Sequence, residues 1–67
     1  MTFNKMINKI VKAVGDNYEA RLYNRTNWSK TIINMEIRNL KANYKRMLEN
    51  QTNQYILQQY EFWFGED

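Results

Sequence analysis

Between Asp16 and Phe64 the chain has no glycine, proline, cysteine or histidine, and its only two glycines, Gly15 and Gly65, stand on either side of that stretch. Tight turns with positive φ draw on glycine, and helix ends are most often marked by glycine or proline. A run this long without either therefore favours helices joined by short polar connections. The same gap removes histidine, the usual acid–base group near neutral pH, and cysteine, the strongest side-chain nucleophile. The sequence does not name an activity, but it points to binding rather than catalysis.

Sixty-seven residues make one small domain. Such a chain buries only about 60% of its unfolded surface. With no cysteine, neither a disulfide nor a cysteine-bound zinc site can staple it. The core must come from aliphatic residues and from five Tyr, three Phe and two Trp. Residues 1–60 carry ten basic and four acidic side chains, a net charge of +6, with Glu61, Glu66 and Asp67 closing the chain. That balance suits an acidic partner. Lys5, Lys9 and Lys12 interrupt any signal-like apolar run near the N-terminus, and no run approaches a membrane span, so a soluble cytoplasmic protein is expected.

The first helix is expected over Thr2–Val14. Phe3, Ile7, Ile10 and Val14 share one face, the lysines share the other, Thr2 caps the start and Gly15 supplies the stop. Asp16–Asn24 reads as a short helix, although Tyr18, Ala20 and Leu22 also alternate with polar residues as in a strand. Arg25–Asn27 is the connection, with Asn24 in a left-handed conformation and Thr26 or Asn27 capping the next element.

Trp28–Asn50 reads as a long helix whose seam is Ile33, Ile37, Leu40, Tyr44 and Met47, spaced 4-3-4-3. Trp28, Ile32 and Met35 fall on its back. That second apolar face keeps open a strand over Thr31–Arg38, since Ile33, Met35 and Ile37 alternate with Asn34, Glu36 and Arg38. A last helix is expected over Gln54–Phe64, capped by Thr52 or Asn53, with Ile56, Tyr60 and Trp63 as its stripe. The expected fold is mostly α, a helical hairpin or bundle of three to four helices. The alternative is α+β, with a small β-hairpin at about 18–38 packed on helices.

No paired-carboxylate cluster, phosphate loop or nucleophile–base pair stands out, so no enzyme activity, metal or cofactor is expected. Residues 19–33 have an order similar to a helix-turn-helix unit, with Ala20 at the helix crossing and Asn24 in place of the turn glycine. The resemblance implies DNA binding through Thr26, Asn27, Ser29 and Lys30 at the start of the second helix. Arg38, Lys41 and Lys45 would extend the contact along a phosphate backbone.

Tyr, Trp, Arg and Met are the residue types enriched at the centres of protein interfaces, and the chain holds more aromatics than so small a core absorbs. Trp28, Ile32 and Met35 form one candidate protein-binding patch, and Tyr60, Phe62 and Trp63 a second. The Ile33–Met47 seam offers a third surface, suited to a homodimer. In size and Asn/Lys/Ile-rich composition the chain resembles small accessory proteins of phages and mobile elements. That resemblance implies an inhibitor or adaptor that occludes a surface of a larger protein or nucleoprotein complex. The alternative is a small helix-turn-helix transcriptional regulator.

Overall fold

The structure, a computed structural model that describes residues 2–65, consists of three helices: α1 Phe3–Arg25, α2 Lys30–Glu49 and α3 Asn53–Phe64. There is no strand among the described residues, so the expected mostly helical fold is present and the alternative, a β-hairpin at about 18–38, is replaced by helix on both sides of a short connection. Glu66 and Asp67, the end of the expected acidic tail, lie outside the described residues.

α1 starts as anticipated: Thr2 Oγ1 accepts a hydrogen bond from the backbone N–H of Lys5 at 3.2 Å. It does not stop at Gly15. That glycine is buried inside the helix, with no positive φ. Its close neighbour is tertiary. A Cβ built there would overlap Lys41 Cε and lie 3.0 Å from Lys41 Cγ, because the aliphatic stem of Lys41 crosses α1 at this point. The Lys12–Asp16 pair, Nζ to Oδ2 2.9 Å, bridges the same turn on the outside of the helix.

Asn24 is helical too, and no non-glycine residue among those described has positive φ. The helix ends at Thr26 instead. Its backbone N–H and hydroxyl both donate to the carbonyl of Leu22, at 3.0 and 2.7 Å, and its hydroxyl oxygen accepts from the N–H of Trp28 at 3.4 Å. The N–H bond is the last of the helical ladder; Thr26 itself is extended, with φ −126° and ψ 162°, and that backbone turns the chain outward.

α2 is capped by Ser29, whose Oγ accepts from the N–H of Ile32 at 3.3 Å. The cap is therefore neither Thr26 nor Asn27, and Trp28 sits in the connection just ahead of the helix. Its C-terminus closes with N–H bonds from Asn50 to Met47 and from Gln51 to Leu48. Thr52 then caps α3, accepting from the N–H of Tyr55 at 3.2 Å.

Two buried clusters fix the arrangement. Leu22 meets Ile33 and Ile37 near the connection, Gly15 meets Lys41 midway, and Ile7, Ile10 and Val11 meet Leu48 at the far end. Residue numbers fall along α1 as they rise along α2, so the two helices form an antiparallel hairpin in contact along its length. α3 packs on α1 and barely meets α2. Ile56 completes the cluster of Ile7, Ile10, Val11 and Leu48, which Phe3, Met6, Val14, Tyr44, Met47, Tyr55, Tyr60 and Trp63 surround. One end of the molecule is thus three helices thick, and the end carrying the connection is only two.

The shape reflects this. The Cα trace measures 38 × 27 × 15 Å with a radius of gyration of 13.2 Å, against roughly 11 Å for a globule of this length. The accessible surface is 5345 Å², against roughly 4,500 Å² for a folded monomer of this mass.

Candidate protein-binding surface

The two-helix end carries most of the misplaced apolar surface. Trp28, Ile32 and Met35 are 47%, 48% and 59% exposed. Tyr18 and Tyr23, which flank buried Leu22 on α1, are also exposed. The cause is local. Ser29 sets the rotation at which α2 begins, and that rotation turns Ile33 and Ile37 inward against Leu22. Ile32 and Met35, one step behind and two steps ahead of Ile33, then point away from α1. Nothing else in the fold covers them, because α3 lies at the other end.

The C-terminal aromatics divide. Tyr60 and Trp63 pack against the main core, on the same stripe as Ile56. Phe62 is 79% exposed, the most exposed of the large apolar side chains among the described residues. Its ring stands edge-on to Trp63 at 5.7 Å between centroids. Phe64 stacks on Tyr60 at 5.0 Å and receives Lys9 Nζ 5.7 Å from its ring centre. Lys9, Lys12, Ala13, Asp16 and Phe64 frame an open hollow of about 240 Å³ between α1 and α3. Phe62 and Trp63 are thus neighbours in sequence with opposite surroundings, and only Phe62 stands fully in solvent.

The seam Ile33–Met47 is closed within the chain. Ile33 and Ile37 are buried with Leu22, and Tyr44 and Met47 pack on the main cluster. A homodimer through that seam would have to open the hairpin.

Of the residues singled out for nucleic acid, Thr26 and Ser29 use their hydroxyls to cap helix ends. Asn27, Lys30, Arg38 and Lys45 are exposed, while Lys41 is half-buried over Gly15. Arg38 and Lys41 share a shallow hollow of about 390 Å³ with Glu19, Asn34 and Ile37. The order helix, turn, helix is present, but the two helices run alongside each other instead of crossing steeply as in DNA-reading units. Ala20 is exposed and does not mark a crossing; the close approach is at Gly15.

The acidic residues do not assemble. Among those described, no three of Asp, Glu, His or Cys stand together. Asp16 is held below the usual carboxylate range mainly by the hydrogen bond from Lys12, and Lys12 is raised in turn by the same bond. This pair is fully exposed, and its shifts report an ion pair rather than a tuned acid. Burial, with a smaller contribution from Tyr55, pushes the Tyr44 phenol up. No helix among the described residues is long and apolar enough to cross a membrane.

No protein-family model matches the chain, and neither a curated protein nor a solved structure is significantly similar to it.

Proposed function

We propose that the chain is a small binding module whose principal partner is a protein, held through the apolar patch Trp28, Ile32 and Met35. The observation that carries this reading is that these three large side chains are each about half exposed or more at one end of the molecule. Isolated exposed apolar residues are ordinary; several at one end, beyond the reach of the core, mark a contact surface. Phe62 supplies a separate anchor on α3.

The mode of action is steric. The module acts by occupying a surface of a larger protein, as small inhibitors and adaptors of phages and mobile elements do. The aromatic and aliphatic anchors supply the affinity, and the surrounding lysines and arginines orient the encounter.

Affinity capture with the tagged chain, with and without nuclease, tests this. The expected result is a stoichiometric protein partner that survives nuclease and is lost in Trp28→Ala and Met35→Ala, with far-UV circular dichroism unchanged in both variants. Recovery of nucleic acid alone, with a steep salt dependence abolished by neutralising Lys30, Arg38 and Lys45, would replace this reading with the DNA-binding one.

A further inference from the structure

α3 is joined to α2 but held by α1. It follows α2 after the short connection Asn50–Gln51–Thr52, yet it packs on α1 and barely meets α2. Its hold on the molecule is therefore a surface that any second copy of the chain also carries. Whether α3 can reach such a copy depends on the connection.

The connection is one step from helix. It contains no glycine or proline, and no residue among those described has positive φ. Asn50 and Gln51 already donate their N–H groups back into the last turn of α2, to Met47 and Leu48 at 3.1 and 3.0 Å. Thr52 has a φ of −70°, a helical value, and it is its ψ, 159°, that is extended. Drawing Thr52 into the helix would join α2 and α3 into one rod about 50 Å long. The two helices are also in phase across the join. At 100° per residue, Tyr44 and Leu48 of α2 and Tyr55, Ile56 and Trp63 of α3 fall within about 120° of one another. A fused helix would carry one continuous apolar stripe through the present break.

We propose that two copies of the chain exchange α3, forming a dimer in which each α3 packs on the other copy's α1. Laid antiparallel and crossing at Thr52, two fused helices bring Leu48 of each copy opposite Ile56 of the other. The closed chain already holds these two residues in one cluster, with Tyr44 and Tyr60 around it. Beside the crossing, Lys45 and Arg46 come opposite Gln59 and Gln58, so no like charges meet. The exchange rebuilds the same core from the same residues, adds helical bonds across the connection, and closes on a two-fold axis at two copies. It gives up the cap of α3, since Thr52 Oγ1 accepts from the N–H of Tyr55 only in the closed form, and it pays the entropy of association. The α1–α2 hairpin stays shut, and the tip with Trp28, Ile32 and Met35 is untouched.

Asn53→Pro separates the two forms. Asn53 is the first residue of α3, where proline suits a helix start, and the extended Thr52 ahead of it is what a proline prefers. In the fused helix the same proline is internal and breaks it. Thr52→Ala does the reverse, because it removes the cap of the closed form and suits a helix interior. Sedimentation equilibrium up to millimolar concentration provides the reading. The expected result is a monomer–dimer equilibrium. Asn53→Pro should abolish the dimer with unchanged far-UV circular dichroism, and Thr52→Ala should tighten it by about tenfold or more, two caps being lost per dimer. A disulfide tells exchange from a surface dimer. Lys9→Cys and Phe64→Cys are placed in one chain, which has no other cysteine. The two positions face each other between α1 and α3, with Lys9 Nζ 5.7 Å from the Phe64 ring centre. Oxidation of the isolated dimer should link chain to chain and give a covalent dimer on a non-reducing gel. Disulfides within single chains would overturn the proposal, as would a dimer that persists in Asn53→Pro. So would a chain that stays monomeric at millimolar concentration even as Thr52→Ala.

Discussion

Substituting Gly15 by alanine tests why α1 runs past its only internal glycine. Glycine in a helix interior is about 1 kcal/mol less favourable than alanine. The gain is available at this position because Gly15 has helical backbone with no positive φ. Opposing it is the overlap of the new methyl with Lys41. The three nearest atoms to that methyl are all in the Lys41 side chain, none in the backbone of α2. The one ion pair among the described residues is Lys12–Asp16, so Lys41 has no salt bridge to lose by swinging aside. Displacing its stem gives up some packing, which takes back roughly half of the gain. Gly15→Ala should therefore stabilise by about 0.5 kcal/mol, and by about 1 kcal/mol when introduced into Lys41→Ala. In a domain of this size those values correspond to melting-temperature increases of about 2–4 °C and 4–8 °C. Thermal melts of the four members of the cycle provide the measurement. If Gly15→Ala destabilises and Lys41→Ala does not rescue it, the helices touch through their backbones at Gly15, and the lysine stem is not the contact that limits a methyl there.

Leu48, fully buried where all three helices meet, should lose about 3–5 kcal/mol on truncation to alanine, enough to unfold much of the population of so small a domain, as urea titration would show. Ile33 is equally buried, but only two helices enclose it and they can close in, so Ile33→Ala should cost less, about 2 kcal/mol; the reverse order would place the main core at the wrong end. Ser29→Ala and Thr52→Ala each remove a helix-capping acceptor and should cost about 1 kcal/mol, largely restored by aspartate at the same positions. Tyr44 should ionise above the ordinary tyrosine pKa, seen as the part of the alkaline phenolate absorbance change that Tyr44→Phe removes. Because its folded pKa is raised, its contribution to stability is complete below the ordinary tyrosine pKa and is lost as the pH climbs through the folded value; Tyr44→Phe should flatten that alkaline loss.

What was legible in the sequence depended on how local its cause was. Thr2 and Thr52 were readable as caps because capping is a relation between a side chain and an N–H three residues on. Ser29 carried the same signal, but Thr26 and Asn27 competed with it. The extended backbone of Thr26 assigns it to the end of α1. Glycine suggests a helix stop at Gly15, but its backbone is helical, and what lies against it comes from twenty-six residues away, the stem of Lys41. The alternation of Ile33, Met35 and Ile37 looked like a strand because α2 is apolar on two sides: Ile33 and Ile37 face α1, and Met35 faces water. The exposed patch at Trp28, Ile32 and Met35 was visible from helical phase alone. Trp63 was readable too, since its spacing from Ile56 and Tyr60 puts it on the inward stripe; weighting aromatic character over phase set it beside Phe62 as an anchor.

These placements bear on why the apolar residues are where they are. Nothing in the folding of the chain requires Ile32 and Met35 to be apolar: polar helix formers at those positions would leave the buried seam of α2 intact and lower the risk of aggregation. Trp28 has a structural use open to it, since it precedes the Ser29 cap at the position from which a residue can staple onto Ile33. Met35 has no comparable use, and Phe62 has only its edge contact with Trp63; the two are the most exposed large apolar side chains among the described residues. The chain keeps them at its surface although it has little core to spare and no disulfide to hold it. The end with the patch is also the end with the fewest helices, where local opening is least costly. Affinity concentrated at that end would come together with local ordering, so a partner seated there would stabilise the part of the fold that needs it most. Selection for stability alone would have put the apolar residues under α3 and left the tip polar; their actual distribution is that of a contact surface.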